Sequence, residues 1–491
     1  MERIVDHERR DVQKTFADAV GWAESDGPKS FYEFERQLWT LLLALGQALV
    51  RQFLAKQAGR PRVVTYDHDG RRYVLRGERT SSIGSLFGKV SFTRPIGRRV
   101  GRGGRCDLPV DRELGLCAGF SLGVVLALTR LCAQMAFASA RETFCESHEW
   151  TPSPRAVLRM VDAVGDHARP FLEQLAAPDD DGEILVVQVD GRGAPMITET
   201  EHQRRRRPHQ RVGGTRRHGR RLRRREHPRK RRKKGDKSKN AKLAVVGVIY
   251  TLRRTPEGVE GPINKRLIAT FESHEALFVW LHREAQKRGY GKKQTVFLAD
   301  GCEHIWRLQK IYFPDAEVCL DWYHVIEKLW SAGECIYPEG SVELRAWVRE
   351  QATRLRKGTV LAVIETLRDA YASIPKTGPN NKGKRERLDR VLKHLVENQC
   401  RLRYRDLRRQ DLDIGTGAAE GAVRNLIGIR LDGPGMRWSR GRSERLLHLR
   451  CVLLNGLWGH FANHLATRDV VTLRSFPIAT QTHAAKRKEA A

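Results

Sequence analysis

Between residues 183 and 330, apolar runs of strand length alternate with stretches of helical period, and this limits the fold more than any other feature of the chain. "EILVVQVDGRG" (183–193), "KLAVVGVIYTL" and "RLIATFES" read as strands. "HEALFVWLHREAQKRG" then reads as a helix, "TVFLADG" as a strand, "CEHIWRLQKIYF" as a helix, and "AEVCLDWYH" as a strand leading into a helix. Two of these strands share an ending. The first runs into Asp190-Gly191 and the fourth into Asp300-Gly301.

Three strands followed by helix, strand, helix and strand is the order of a ribonuclease-H-like domain, a mixed sheet with helices on its faces. In that order the first and fourth strands lie side by side, so Asp190 and Asp300 are expected at one sheet edge. Asp-Gly is also a common turn signal, and each motif alone reads equally well as an ordinary strand end. The other reading is a pair of carboxylates holding a divalent cation, and hard oxygen donors of this kind suit magnesium.

Residues 326–413 are charged and mostly of helical period, and read as an all-helical insertion before the last helix of the sheet domain. That last helix contains "GTGAAEGAVRN", where Glu420 sits among small residues that allow close approach to a sheet. Two readings are open for it. Arg424 at i+4 suits a surface ion pair. Alternatively, Glu420 faces Asp190 and Asp300 as a third carboxylate. No Ser/His or Cys/His arrangement for covalent catalysis stands out, which agrees with metal-assisted phosphoryl transfer.

Charge points to the partner. The formal net charge is +32 and the sequence pI about 10.3, which favours a polyanion, with nucleic acid first. Residues 204–234 hold 18 Lys and Arg against one acid, Glu226. Within this loop (202–242), Arg204, Arg205, Arg206, Arg207, Arg223, Arg224, Arg225, Lys230, Arg231, Arg232, Lys233 and Lys234 are the candidate phosphate contacts. Their grip on DNA is expected to be salt-dependent and indifferent to sequence. Residues 38–50 and 114–128 fall short of the roughly 20 apolar residues a spanning helix needs and read as core helices. With a charged first segment and no C-x-x-C pair, the expectation is a cytoplasmic protein with reduced cysteines and no membrane partner.

The N-terminal part divides in two. Residues 1–105 read as a helix over 30–57, with Ser30 and Glu33 placed as a capping box, and a small β region with a hairpin at Asp69-Gly70. Residues 106–178 read as short helices in a helix-turn-helix-like layout suited to reading DNA.

The words "VDGRGAPM", "KKGDKSKNAKLAVVGVIY", "FLADGCEHIW", "YFPDAEVCLDWYHVIEKLW", "GTGAAEGAVRN" and "RLDGPGMRWS" cover about residues 183–440. Together they resemble the DDE transposases of bacterial insertion sequences, most closely the ISKra-four family. The resemblance implies a ribonuclease-H-like catalytic domain (183–325, closed by 414–440) around the insertion, with a C-terminal helix and tail over 441–491. It implies Asp190, Asp300 and Glu420 as the catalytic triad, two Mg²⁺ or Mn²⁺ ions, and cleavage and strand transfer on DNA. The partners would be terminal inverted repeats and target DNA, bound by a homo-oligomer in the bacterial nucleoid. "DWYH" looks like the D-x-x-H signature of Mutator-like relatives and brings in Asp321 and His324. Arg430, Arg437 and Trp438 follow the Glu420 helix and suit either stacking on an exposed base or core packing. Relatives often carry paired cysteines just before a "P-D-E-x-L-G-L"-like word; here "RPIGRRVGRGGRCDLPVDRELGL" has only Cys106, and Cys145 and His148 are isolated, so no zinc is expected. A non-catalytic DNA-binding derivative and a hydrolytic, structure-specific nuclease are the competing functions.

Overall fold

In the computed structural model the described residues are 2–198 and 241–467, apart from 26, 28–29, 102–105 and 117–118. They divide into two compact units, one made of the residues up to Leu172 together with those from Gly456 on, the other of those within Glu173–Asn455. The basic residues from Arg204 to Lys234 lie outside the described residues.

The first unit opens with α1 (Glu2–Ala23) and α2 (Phe31–Ala58). The capping box forms: Ser30 Oγ accepts from the Glu33 N–H at 3.3 Å, and the Glu33 carboxylate accepts from the Ser30 N–H at 3.0 Å. A meander follows, made of β1 (Thr65–His68), β2 (Arg71–Ser85) and β3 (Gly88–Arg99). Its first turn is tight because Asp69 and Gly70 both take positive φ, 50° and 66°, the pairing that matches strand twist in a two-residue hairpin. Leu54 and Ala58 of α2 bury against Ile83, Val90 and Phe92. Leu43 and Ala48 are also buried, but the other face of α2 departs from its reading as a core helix. Leu42, Leu49 and Phe53 are exposed, and at 28 residues it is one helix long and apolar enough, by length and composition, to cross a membrane. The stretch counted from the sequence stopped at its polar neighbours, whereas the helix runs through them.

Next come α3 (Pro109–Glu113), α4 (Leu122–Gln134), α5 (Phe137–His148) and α6 (Pro154–Glu173). Met135 and Ala136 alone join α4 to α5, and Glu149 in the left-handed region ends α5.

The second unit holds a five-stranded sheet of β4 (Ile184–Pro195), β5 (Ala241–Thr255), β6 (Gly258–Thr270), β7 (Gln294–Ala299) and β8 (Glu317–Leu320), in the order β6-β5-β4-β7-β8. β6, β5 and β4 are antiparallel, while β4, β7 and β8 are parallel. This mixed α/β architecture is compatible with the ribonuclease-H-like order read from the sequence. The unbroken burial of Ile184 to Val189 fits a strand covered on both faces. Helix α7 (His274–Lys287) leads to β7, and α8 (Glu303–Tyr312) links β7 to β8. Beyond β8 run α9 (Trp322–Gly333), α10 (Val342–Arg356), α11 (Val360–Ser373), α12 (Asn381–Glu397), α13 (Tyr404–Arg408) and α14 (Gly417–Val423). α14 continues through a π-helical turn, Arg424–Gly428, into Ile429–Leu431. The C-terminal region expected as one helix is two, α15 (Arg440–Leu454) and α16 (Trp458–Thr467), because Gly456, at φ 71°, breaks the run.

One buried ion pair fastens the entry to β4. Arg288 is 2% exposed, and its Nε and Nη2 donate to Asp181 at 2.9 and 2.6 Å while Nη1 donates to the Asn264 carbonyl at 3.0 Å. Burial pushes the Asp181 carboxyl up, but hydrogen bonds from Arg288 and Thr251 and the guanidinium charge outweigh it and hold the group well below the usual carboxylate range. A depressed carboxyl stabilises the fold above its unfolded value of about 3.9, and the contribution is lost as pH falls through the folded value. Asp181→Ala leaves the guanidinium buried without counter-charge and is expected to cost about 3–5 kcal/mol at neutral pH. Thermal denaturation should show a lowered midpoint, with the gap to wild type narrowing toward pH 2.

Candidate active site

The parallel ladder between β4 and β7 ends at Val189↔Ala299, so Asp190 and Asp300 are each the first residue beyond it. Strands pair about 4.8 Å apart, which makes these carboxylates neighbours by register. The expectation that the first strand ends at Asp190 is corrected. β4 runs on to Pro195 because β5 keeps pairing with it, from Asp190↔Val246 to Pro195↔Ala241. Asp190-Gly191 is therefore not a turn. Asp300 does follow its strand: its Oδ1 accepts from the Cys302 N–H at 3.0 Å and its carbonyl accepts from Trp306 Nε1 at 2.8 Å. Gly301 is demanded by space, since a Cβ there would strike the His394 ring on α12.

Glu420 lies on α14 and reaches the same edge. One ligand atom from each of Asp321, His324 and Glu420 falls within 4.8 Å of the others. Glu420 makes no ion pair with Arg424, so the surface-pair reading is set aside. Burial raises the Glu420 carboxyl, the charges of Asp321 and Asp190 raise it further, and His324 opposes them. Burial likewise raises Asp190; Gly191 and His324 oppose the shift, while Asp300 and Asp321 add to it. Asp300 thus figures in the surroundings of Asp190, and Asp190 in those of Glu420, but among the described residues Asp190, Asp300 and Glu420 do not themselves form a group with ligand atoms all within 4.8 Å.

Asp321 is wholly buried at the start of α9. Its Oδ2 accepts from the His324 backbone N–H at 2.8 Å and lies 2.6 Å from His324 Nδ1, while Oδ1 accepts from the Thr416 N–H at 2.6 Å. Burial pushes this carboxyl up, but the hydrogen bonds from His324 and Thr416 prevail and hold it below its ordinary value. His324 is raised to about 9, chiefly by its hydrogen bond to Asp321; burial opposes this and the charges of Asp321, Asp190 and Asp300 reinforce it.

Sequence reasoning passed over Gln188, which is 1% exposed on β4, two residues before Asp190. Its Oε1 accepts from the Ala419 N–H at 3.0 Å, and its Nε2 donates to the Tyr250 hydroxyl at 2.9 Å and the Gly415 carbonyl at 3.2 Å. Tyr250 in turn donates to Asp413 at 2.5 Å. A lone amide within "LVVQVD" was the available signal, since buried polar groups require partners.

Trp438 and Arg430 do not serve as a base-stacking platform. Trp438 is 5% exposed, its Nε1 donates to the Leu431 carbonyl at 2.8 Å, and its backbone pairs with that of Pro195 and Ile197. Arg430, 2% exposed, lies over the Trp438 ring at 5.0 Å. Both brace the loop after α14 against the end of β4, and only Arg437 is exposed.

No protein-family model matches the chain, and no curated protein matches it. Among solved structures, the Drosophila P element transposase strand transfer complex is similar over 73% of this chain and 84% of that one, at 11% identity and a TM-score of 0.24. A likeness this slight bears on neither fold nor function.

A raised imidazole stabilises the fold below its unfolded value of about 6.5, and that contribution is lost as pH rises through about 9. The His324 ring is therefore expected to titrate near 9 by NMR in metal-free protein, and Asp321→Asn should lower that value. Trp438→Ala should cost about 3–5 kcal/mol in chemical denaturation, as loss of a buried indole does.

Proposed function

We propose that this protein is a DDE-type DNA transposase of the insertion-sequence kind its motifs resemble, cutting DNA and joining the freed 3′-hydroxyl to a target. The observation that carries this reading is the register of β4 and β7, which ends one residue before Asp190 and Asp300, with Glu420 electrostatically coupled to Asp190. The donor set fits a pair of Mg²⁺ or Mn²⁺ ions. Asp190, Asp300 and Glu420 offer hard oxygens; burial is the main cause of the upward push on Asp190 and Glu420, and neighbouring carboxylates add like-charge repulsion that cations would relieve. When bound, such ions activate a water or hydroxyl and stabilise the leaving 3′-oxygen.

The chain's own residues do the rest. Asp321 and Gln188 bind the start of the Glu420 helix by hydrogen bonds to the Thr416 and Ala419 N–H groups, which supports a third carboxylate fixed in advance of any substrate. His324, charged at neutral pH, presents a cation beside the carboxylates, where a phosphate oxygen can accept from it. The net charge of +32, with much of it in residues 204–234, supports DNA as the polyanion held nearby.

Asp300→Asn removes a charged ligand without altering volume. It is expected to abolish Mg²⁺- or Mn²⁺-dependent cleavage of end-labelled DNA carrying the element's terminal repeats, while a gel-shift assay shows binding nearly unchanged. Retained cleavage would overturn the assignment. Strand joining to a second labelled duplex separates a transposase from a nuclease that only hydrolyses.

A further inference from the structure

A cavity begins where the carboxylate cluster ends. About 340 Å³ in volume, it lies between one face of α9, formed by His324, Glu327, Lys328 and Ser331, and one face of α12, formed by Arg387, Arg390 and Val391. That volume lies within the range of about 300–1,000 Å³ typical of ligand sites. His324 belongs to both places: its ring contacts Asp321 and it lines the cavity wall. On the opposite wall, α12 presses His394 against Gly301, the residue after Asp300. The cavity therefore opens directly beside the strand-end carboxylates.

Its walls are basic. Lys328, Arg387 and Arg390 face a single acid, Glu327. Lys328 has no hydrogen-bond or ion-pair partner among the described residues. Arg390 gives only its Nε, to the Glu386 carbonyl at 3.2 Å, and Arg387 makes one exposed pair with Glu334 at 3.4 Å. Residues three and four apart on a helix are surface neighbours, so Arg387 and Arg390 stand side by side on α12 with Lys328 across the gap. His394 is held to about 4 by burial and the nearby charges of Lys328 and His324, so it contributes no cation at neutral pH. Guanidinium groups with open donors suit phosphate oxygens better than any neutral ligand.

We infer that the α9–α12 groove is a binding site for the phosphodiester backbone of a nucleic-acid strand, seating the phosphates next to the one that enters the carboxylate cluster. The inference rests on the phosphoryl-transfer reading for its substrate class, and it gives the helical insertion a direct part in gripping the strand.

The test measures binding of the full-length protein to a fluorescent single-stranded oligonucleotide of random sequence, across a sodium chloride series without divalent cations. Each phosphate neutralised on a single strand contributes about 0.7 to the slope of log affinity against log salt. Lys328→Gln with Arg390→Gln is expected to flatten that slope by about 1.4, and Glu327→Gln to tighten binding. Arg345→Gln with Arg349→Gln removes the same charge from an exposed face of α10 and is expected to change neither. The groove is ruled out if its double variant keeps the wild-type slope, or if the α10 pair loses as much. Because binding is read without metal, the outcomes separate. A flattened slope in a protein that never cleaves DNA counts against the transposase reading and leaves the groove, whereas unchanged binding with intact cleavage counts against the groove alone.

Discussion

The arrangement of the site depends on one buried carboxylate. Asp321 has no exposed surface, and an isolated charge in that position would be costly. The cost is offset by hydrogen bonds from three different directions. Its side chain accepts the His324 N–H in the first turn of α9 and lies against the His324 ring; it also accepts the Thr416 N–H four residues before Glu420. Its own N–H donates to the Ala299 carbonyl at 2.9 Å, beside Asp300. One side chain and its amide thus join the end of β7, the start of the insertion and the approach to α14. A residue capping a helix is common, but one that spans segments almost a hundred residues apart sets tertiary geometry.

Gln188 performs the same task from the other side. Strand β4 is otherwise apolar through Val189, and its single amide satisfies all its bonds on the 413–419 segment and Tyr250. A half-satisfied polar network in such a place would be worse than an apolar core. The network ties the start of α14 to the sheet, so Glu420 is aimed by backbone contacts in the residues just before it. The helical insertion returns to the same edge through His394, which requires the bare surface of Gly301.

Electrostatically the edge is overloaded with acids. Asp190 and Glu420 are raised by burial and by one another's neighbours, while Asp321 is held down by its donors and His324 is raised by the surrounding carboxylates. Groups pushed apart in this way are common where charge must be received or moved. The imidazolium opposes this repulsion without cancelling it, since Asp190 and Glu420 remain raised.

The sheet strands, the helices between them and the neighbourhood of Asp190 and Asp300 were legible in the sequence, because period-two and period-3.6 patterns record which face of each element is covered. The capping box and the Asp69-Gly70 hairpin were legible for the same local reason. The Asp-Gly grammar was legible but misattributed. Gly191 sits inside a ladder that β5 prolongs, and Gly301 makes room for a helix more than ninety residues away. Trp438 and Arg430 read equally well as stacking or packing groups, and only their burial against the end of β4 decided between the two. The roles of Gln188, His394 and Lys328 depend on partners far along the chain. Local sequence determines which residues turn inward, but which inward residues meet is decided when distant elements close on one another, because a buried polar atom is satisfied only by the partner that the fold brings within hydrogen-bond reach.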